Sequence, residues 1–208
     1  MTAREVTDRL ADSAESWPVR RSVTAFQGGV VQMRVDHVEM PDGDLAVRDV
    51  LVHPGSVGVM VLDEDNRVLL LRQYRHPVGL RMWELPAGLL DKPGEPLIAA
   101  ARRELVEEAH LVASDWRVLL DAYTSPGISD EAVRIFVARD HSPAPGERTP
   151  GKHEEFDLEL RWVPLDEVVC GVLQGELRNP LLVMGAPALA AVIAGPGLDS
   201  RIVEDPAG

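Results

Sequence analysis

The sequence predicts a mixed fold of the α/β or α+β class. Three observations carry that reading. Strand-like apolar runs and helical runs are interleaved without strict alternation. A stretch near the N-terminus alternates apolar and polar residues with few helical signals. The middle and end of the chain carry runs with helical start signals and apolar faces. No internal repeat is present.

The first residues, to about position 17, are polar, and they fray or form a short helix over 3–12. Over 22–53, Val30, Gln32, Arg34 and His37 interleave with Val31, Met33, Val35 and Val38. Pro41-Asp42-Gly43 makes a turn, and 46–53 reads as another strand. About three strands form an antiparallel unit too small to be stable alone, so it packs on the rest of the chain or on another copy of itself. This divides the chain into an N-terminal β unit over 1–55 and a larger domain over 56–208. In the larger domain 57–62 and 67–74 are apolar strands around the turn Asp63-Glu64-Asp65-Asn66, and a helix is expected over 96–109. Two more strands, 116–123 and 132–138, flank a loop containing Ser125-Pro126-Gly127. Segment 141–154 is rich in Pro, Gly and charge and reads as a loop. A short strand over 160–163 and a helix over 166–173 follow; Asn179-Pro180 then opens a last apolar helix with an N-cap and a proline at N1. The tail beyond Gly195 reads as irregular.

Composition narrows the function classes. With 208 residues, 45% hydrophobic and 26% charged, the chain can bury a real core. No run approaches the roughly 18 apolar residues of a membrane span, and the N-terminus lacks the apolar core of a secretory signal. Cys170 is the one cysteine, which excludes an internal disulfide and makes a reducing cytoplasm the expected setting. A net charge of −13 argues against binding nucleic acid through its phosphates. It also means that any anionic substrate requires local cations.

The chemistry is concentrated in WELPAGLLDKPGEPLIAAARRELVEEAHL, from Trp83 to Leu111. Glu104, Glu107 and Glu108 stand at i, i+3 and i+4, which places them on one helix face. Like charges that close destabilise a helix, and Arg103 neutralises only part of them. A divalent cation accounts for the rest, and hard oxygen ligands suit Mg²⁺ or Mn²⁺. Such a site points to metal-dependent chemistry on phosphates.

On these residues the stretch resembles the Nudix box. Glu95, Arg103, Glu104, Leu105, Glu107, Glu108 and Leu111 stand at the box spacing from one another. Two positions depart: Gly88 precedes Glu95 by seven residues instead of six, and His110 replaces the closing glycine, leaving the helix end without that residue's easy left-handed conformation. The flanks, Arg72-Gln73-Tyr74-Arg75-His76-Pro77, WELPAG, and Pro126 about 15 residues beyond the box, are similar to those of the ADP-ribose pyrophosphatase subgroup.

The resemblance implies an α/β/α sandwich around a mixed sheet, with the N-terminal β unit serving a homodimer and part of the substrate pocket. It implies Mg²⁺, with Mn²⁺ possible, held by Glu104, Glu108 and the main-chain carbonyl of Ala87, with Glu107 as a third ligand or a supporting carboxylate. Arg103 would orient the glutamates and Glu95 brace the loop. The general base would come from the later loop, Glu155 first and Glu154 in reserve. Arg75 would contact the diphosphate, Glu131 the ribose side, and Arg48, from the second subunit, the adenine end. The reaction implied is hydrolysis of ADP-ribose to AMP and ribose 5-phosphate. Another sugar nucleotide, such as GDP-mannose or ADP-glucose, and a nucleotide-sensing module without catalysis are the alternatives.

Overall fold

The computed structural model describes residues 10–147 and 158–201, and ten strands and three α-helices occur among them. Strand β4 (Ser56–Val61) is the centre of the larger domain, and it is buried along its whole length. Such a Val-rich run, with no polar face, suits a strand covered on both sides. It pairs antiparallel with β7 (Ala87–Leu89) and parallel with β9 (Ala132–Pro143), which pairs antiparallel with β8 (Leu111–Tyr123). The order β7-β4-β9-β8 is therefore a mixed sheet. A second, antiparallel sheet has the order β10-β5-β6, from β5 (Arg67–Arg75), β6 (Leu80–Glu84) and β10 (Glu159–Pro164).

The period of two along β4 sorts its side chains into two cores. Val57, Val59 and Val61 pack with Ile98, Ala101 and Leu105 of helix α1 (Leu97–Ala109). Met60 and Leu62 pack with Val168 of α2 (Leu165–Leu173) and with Leu182, Ala186 and Leu189 of α3 (Pro180–Ala194). Helices thus cover both faces, which is the expected sandwich. Helix α3 starts as its sequence predicts: Pro180 stands at its first position, and the Asn179 side chain accepts from the Leu182 N–H at 3.2 Å.

The N-terminal unit is a sheet of β1 (Val19–Gln27), β2 (Gln32–Glu39) and β3 (Leu45–Val52), antiparallel throughout. Its attachment is local. The Leu51 N–H donates to the Ile128 carbonyl at 2.8 Å, the Ser129 hydroxyl to the Leu51 carbonyl at 3.1 Å, and the His53 N–H to Asp130 at 2.8 Å. Strand β1 is exposed throughout, and it presents Val19, Val23 and Phe26 to solvent.

Several expectations are corrected. Strands β6 and β7 went unread, because five and three residues without clear alternation resemble loop. Strands β8 and β9 are longer than expected: Leu111, Val112 and Ala113 pair with Pro143, Ser142 and His141, so 141–143 belong to a strand. The remainder of that expected loop, 148–154, lies outside the described residues. So does most of the expected helix over 3–12; its described part, Leu10 to Asp12, is not helical. The expected irregular tail contains a short 3-10 turn, Leu198–Ser200, with Leu198 buried. No helix among the described residues is long and apolar enough to cross a membrane.

Candidate active site

Helix α1 carries the acidic run with one side sealed. Ile98, Ala101, Leu105 and Ala109 face the core, and Glu108 is drawn in with them, only 7% exposed. The Ala87 N–H donates to Glu108 Oε2 at 2.9 Å. Glu104, one turn earlier, lies against the next residue. A Cβ built on Gly88 would fall 2.0 Å from Glu104 Cδ and 2.1 Å from its Oε1. A Cβ there would displace the Glu104 side chain, so the glycine serves close approach and not a turn. Two carboxylates from successive turns are thereby brought to one stretch of backbone, Ala87-Gly88. Glu107 stands further out, its side chain 56% exposed.

Arg103 binds these parts together. Its Nε and Nη2 donate to both oxygens of Glu95, at 3.1 and 2.9 Å, while Nη1 donates to Glu104 and, at 3.3 Å, to Glu107. The guanidinium hydrogen-bonded to Glu95 holds that carboxyl below the usual range, and the same bonds push the Arg103 pKa upward. The inserted residue before Glu95 is absorbed in a turn in which Gly94 has φ +77 and the Glu95 N–H donates to the Lys92 carbonyl. Burial is the largest influence on Glu104 and raises its pKa; Arg103 opposes it, and Glu107 and Asp91 add to it.

The donor set therefore fits a hard divalent cation. It offers carboxylates of Glu104 and Glu108 beside a backbone with no Cβ at Gly88, and a buried negative charge that Arg103 only partly offsets. The cage is not closed: among the described residues no three His, Cys, Asp or Glu side chains are gathered around one point. Arg103 holds Glu104 and Glu107, and the Ala87 N–H holds Glu108.

Beside this corner is a hollow of about 260 Å³, whose walls include Arg75, Ala87, Gly88, Thr124, Glu131 and Asn179. Two of the residues expected to contact substrate, Arg75 and Glu131, therefore share one cavity with the expected main-chain ligand Ala87. The Thr124 hydroxyl donates to Glu131 Oε2, and His53 Nδ1 stands 3.7 Å from its Oε1. A wider hollow of about 790 Å³ lies at the other end of β4, around the 63–67 turn, and none of the expected site residues line it. Arg48 is exposed on β3, cross-strand from Asp36 and apart from the cavity. Glu154 and Glu155 lie outside the described residues. Sequence reading missed Thr124, Asn179 and His53. Thr124 had only polarity to mark it, and Asn179 was read as an N-cap.

The model of the NUDIX domain matches residues 52–182. This chain is a member of the Nudix family. The match runs from the last residue of β3, through both sheets of the larger domain, to the first turn of α3, and leaves out the rest of the N-terminal sheet. Among Nudix relatives, the chain is 42% identical over 178 residues to a protein named ADP-ribose pyrophosphatase from Mycobacterium tuberculosis, which spans 84% of this chain and 83% of that one. It is 35% identical over 144 residues to the methanol dehydrogenase activator of Bacillus methanolicus, covering 69% and 76%. The chain also superposes on a crystal structure of an ADP compounds hydrolase, with a TM-score of 0.73 at 21% identity over 90% of this chain and 99% of the other. That likeness concerns the fold.

Proposed function

We propose that this chain is a Mg²⁺-dependent ADP-ribose diphosphatase, acting as a homodimer and releasing AMP and ribose 5-phosphate. The observation that carries the reading is the 42% identity, over 84% of the chain, to an ADP-ribose pyrophosphatase. The site geometry supports it. Glu104 and Glu108, with the carbonyl of Ala87, would hold the cation, Glu107 would assist from outside, and Arg103 with Glu95 would keep the acidic helix in register with the loop. Mn²⁺ would serve the same oxygen donors. When bound, the cation supplies positive charge to a diphosphate that an acidic protein would otherwise repel.

The chain's own residues do the rest. Arg75, at the cavity wall, offers planar donors to the diphosphate, and Glu131 accepts from ribose hydroxyls. Glu155, or Glu154 one residue earlier, takes a proton from the attacking water; the water oxygen bonds to one phosphorus and the other phosphate departs with the bridging oxygen. Arg48 would reach the adenine of the neighbouring subunit across a dimer built on the exposed β1 sheet. The N-terminal β unit, 1–55, would then be a dimerisation element and 56–208 the catalytic domain. A reducing, cytoplasmic setting accords with the free thiol of Cys170.

The test is product analysis with ADP-ribose, ADP-glucose and GDP-mannose in Mg²⁺. Preferential release of AMP and ribose 5-phosphate from ADP-ribose, abolished by EDTA, is expected. Preference for another sugar nucleotide would discard the substrate assignment, and tight binding without cleavage would make the chain a sensor.

A further inference from the structure

Glu84, the last residue of β6, is 1% exposed. A carboxylate so far from water keeps its charge only if donors surround it. Arg75 of the facing strand provides them. Its Nε lies 2.9 Å from Oε1 and 3.0 Å from Oε2, and its Nη2 also donates to Oε2. The Gln73 amide stands 3.5 Å from the same oxygen. Register places Leu71 opposite Glu84, so Leu71, Gln73 and Arg75 share one face of β5. Exposure rises along that file, from 0% at Leu71 and 5% at Gln73 to 45% for the Arg75 side chain.

A hairpin staple would explain the burial of Glu84. It would not require the clasped guanidinium to line a cavity, yet Arg75 is among the residues lining the hollow that Glu131 and Gly88 share. The segment that carries Glu84 also carries Ala87, whose N–H holds Glu108. One short run of backbone thus sets both the guanidinium and the acidic helix. An arginine side chain has many rotamers, and fixing one before the ligand arrives removes an ordering cost from binding.

We propose that Glu84 is a positioning residue, whose buried carboxylate aims the Arg75 guanidinium into the cavity to receive the substrate's diphosphate. This rests on the assignment of Arg75 given above. The test is calorimetric titration of inorganic diphosphate, in Mg²⁺ buffer, into wild type, Glu84→Gln, Arg75→Gln and the double variant, with thermal melts of each. Glu84→Gln is expected to weaken diphosphate binding by about tenfold while it remains folded, and to add nothing in the Arg75→Gln background, because the two act as one unit. Unchanged affinity, an equal loss in both backgrounds, or a wild type that binds no diphosphate would overturn the proposal. Should Glu84→Gln fail to fold, Arg75→Lys decides: it keeps the charge but cannot form the fork, and unchanged affinity there overturns the role. ADP-ribose hydrolysis by wild type is followed in the same samples. No cleavage beside an intact diphosphate cycle sinks the substrate reading alone, and normal cleavage beside a failed cycle sinks the role of Glu84 alone.

Discussion

At the scale of residues, Gly88 is the most consequential position. Its missing Cβ is the space that Glu104 occupies, since an added methyl would meet the carboxylate at 2.0 Å. Gly88→Ala must push Glu104 away from the corner it shares with Glu108. Displacing a reacting group by about 1 Å costs on the order of 100-fold in rate. Gly88→Ala is therefore expected to lower kcat by at least about that factor, measured as AMP release. An alanine variant with normal turnover would show that Glu104 need not lie there. In the sequence, Gly88 is legible as a motif position but not as a contact, because the atom it avoids comes from a helix that is distant along the chain. The same is true of Glu84, which the sequence offers only as part of the WELPAG run until its burial and its clasp on Arg75 are seen.

At the scale of elements, the end of α1 departs from the expected glycine. His110 adopts the left-handed conformation all the same, with φ 54 and ψ 40, and its N–H donates to the Val106 carbonyl at 3.0 Å. The helix cap is thus made at a cost. A non-glycine residue in this region costs about 1–2 kcal/mol, and glycine's own entropy costs about 0.5–1 kcal/mol. His110→Gly should raise stability by roughly 0.5–1 kcal/mol, read as a higher midpoint in urea. A lower midpoint would mean that the imidazole makes a contribution of its own. A second element, the β8–β9 pair, is fastened by Asp115. Burial works to raise its pKa, but hydrogen bonds from Arg117 and Arg139 outweigh burial and hold it below the ordinary value. A depressed pKa stabilises the fold above the unfolded value of about 3.9, and that contribution is lost as pH falls through the lower folded value. Asp115→Asn should cost about 1–3 kcal/mol at neutral pH and flatten the loss of stability below about pH 4. An unchanged acid profile would contradict that role.

Elements with strong local signals were legible in the sequence. The acidic helix over 96–109 appears as Leu97–Ala109, the Asn179-Pro180 start holds, and about three N-terminal strands are present, although their burial does not alternate and Val30 and Val31 lie in the turn between β1 and β2. The order β7-β4-β9-β8 was not legible, since pairing partners depend on contacts between distant segments. The lengthening of β9 to Pro143 has the same cause: a Pro- and Gly-rich stretch became strand because β8 offered it a partner.

At the scale of the whole molecule, two facts pull together. The chain carries a net charge of −13, so its anionic substrate must be received at a few built positions. The outer sheet leaves Val19, Val23 and Phe26 exposed on β1, an apolar set that a second copy would cover. Replacing Val23 and Phe26 together by Asp should convert a dimer to a monomer in sedimentation and weaken substrate affinity, with the sandwich still folded. A wild type that sediments as a monomer with full activity would contradict the dimer.

The most direct test of the central claim, that the α1 carboxylates hold the cation used for ADP-ribose cleavage, is a Mg²⁺ titration of AMP release by wild type and Glu108→Gln. Glutamine can still accept from the Ala87 N–H, so the fold should survive. The account predicts Mg²⁺-dependent turnover in wild type and a loss of at least about 100-fold in the variant, with its melting temperature in EDTA near that of wild type. Near-normal turnover by Glu108→Gln at the same Mg²⁺ concentration would contradict it.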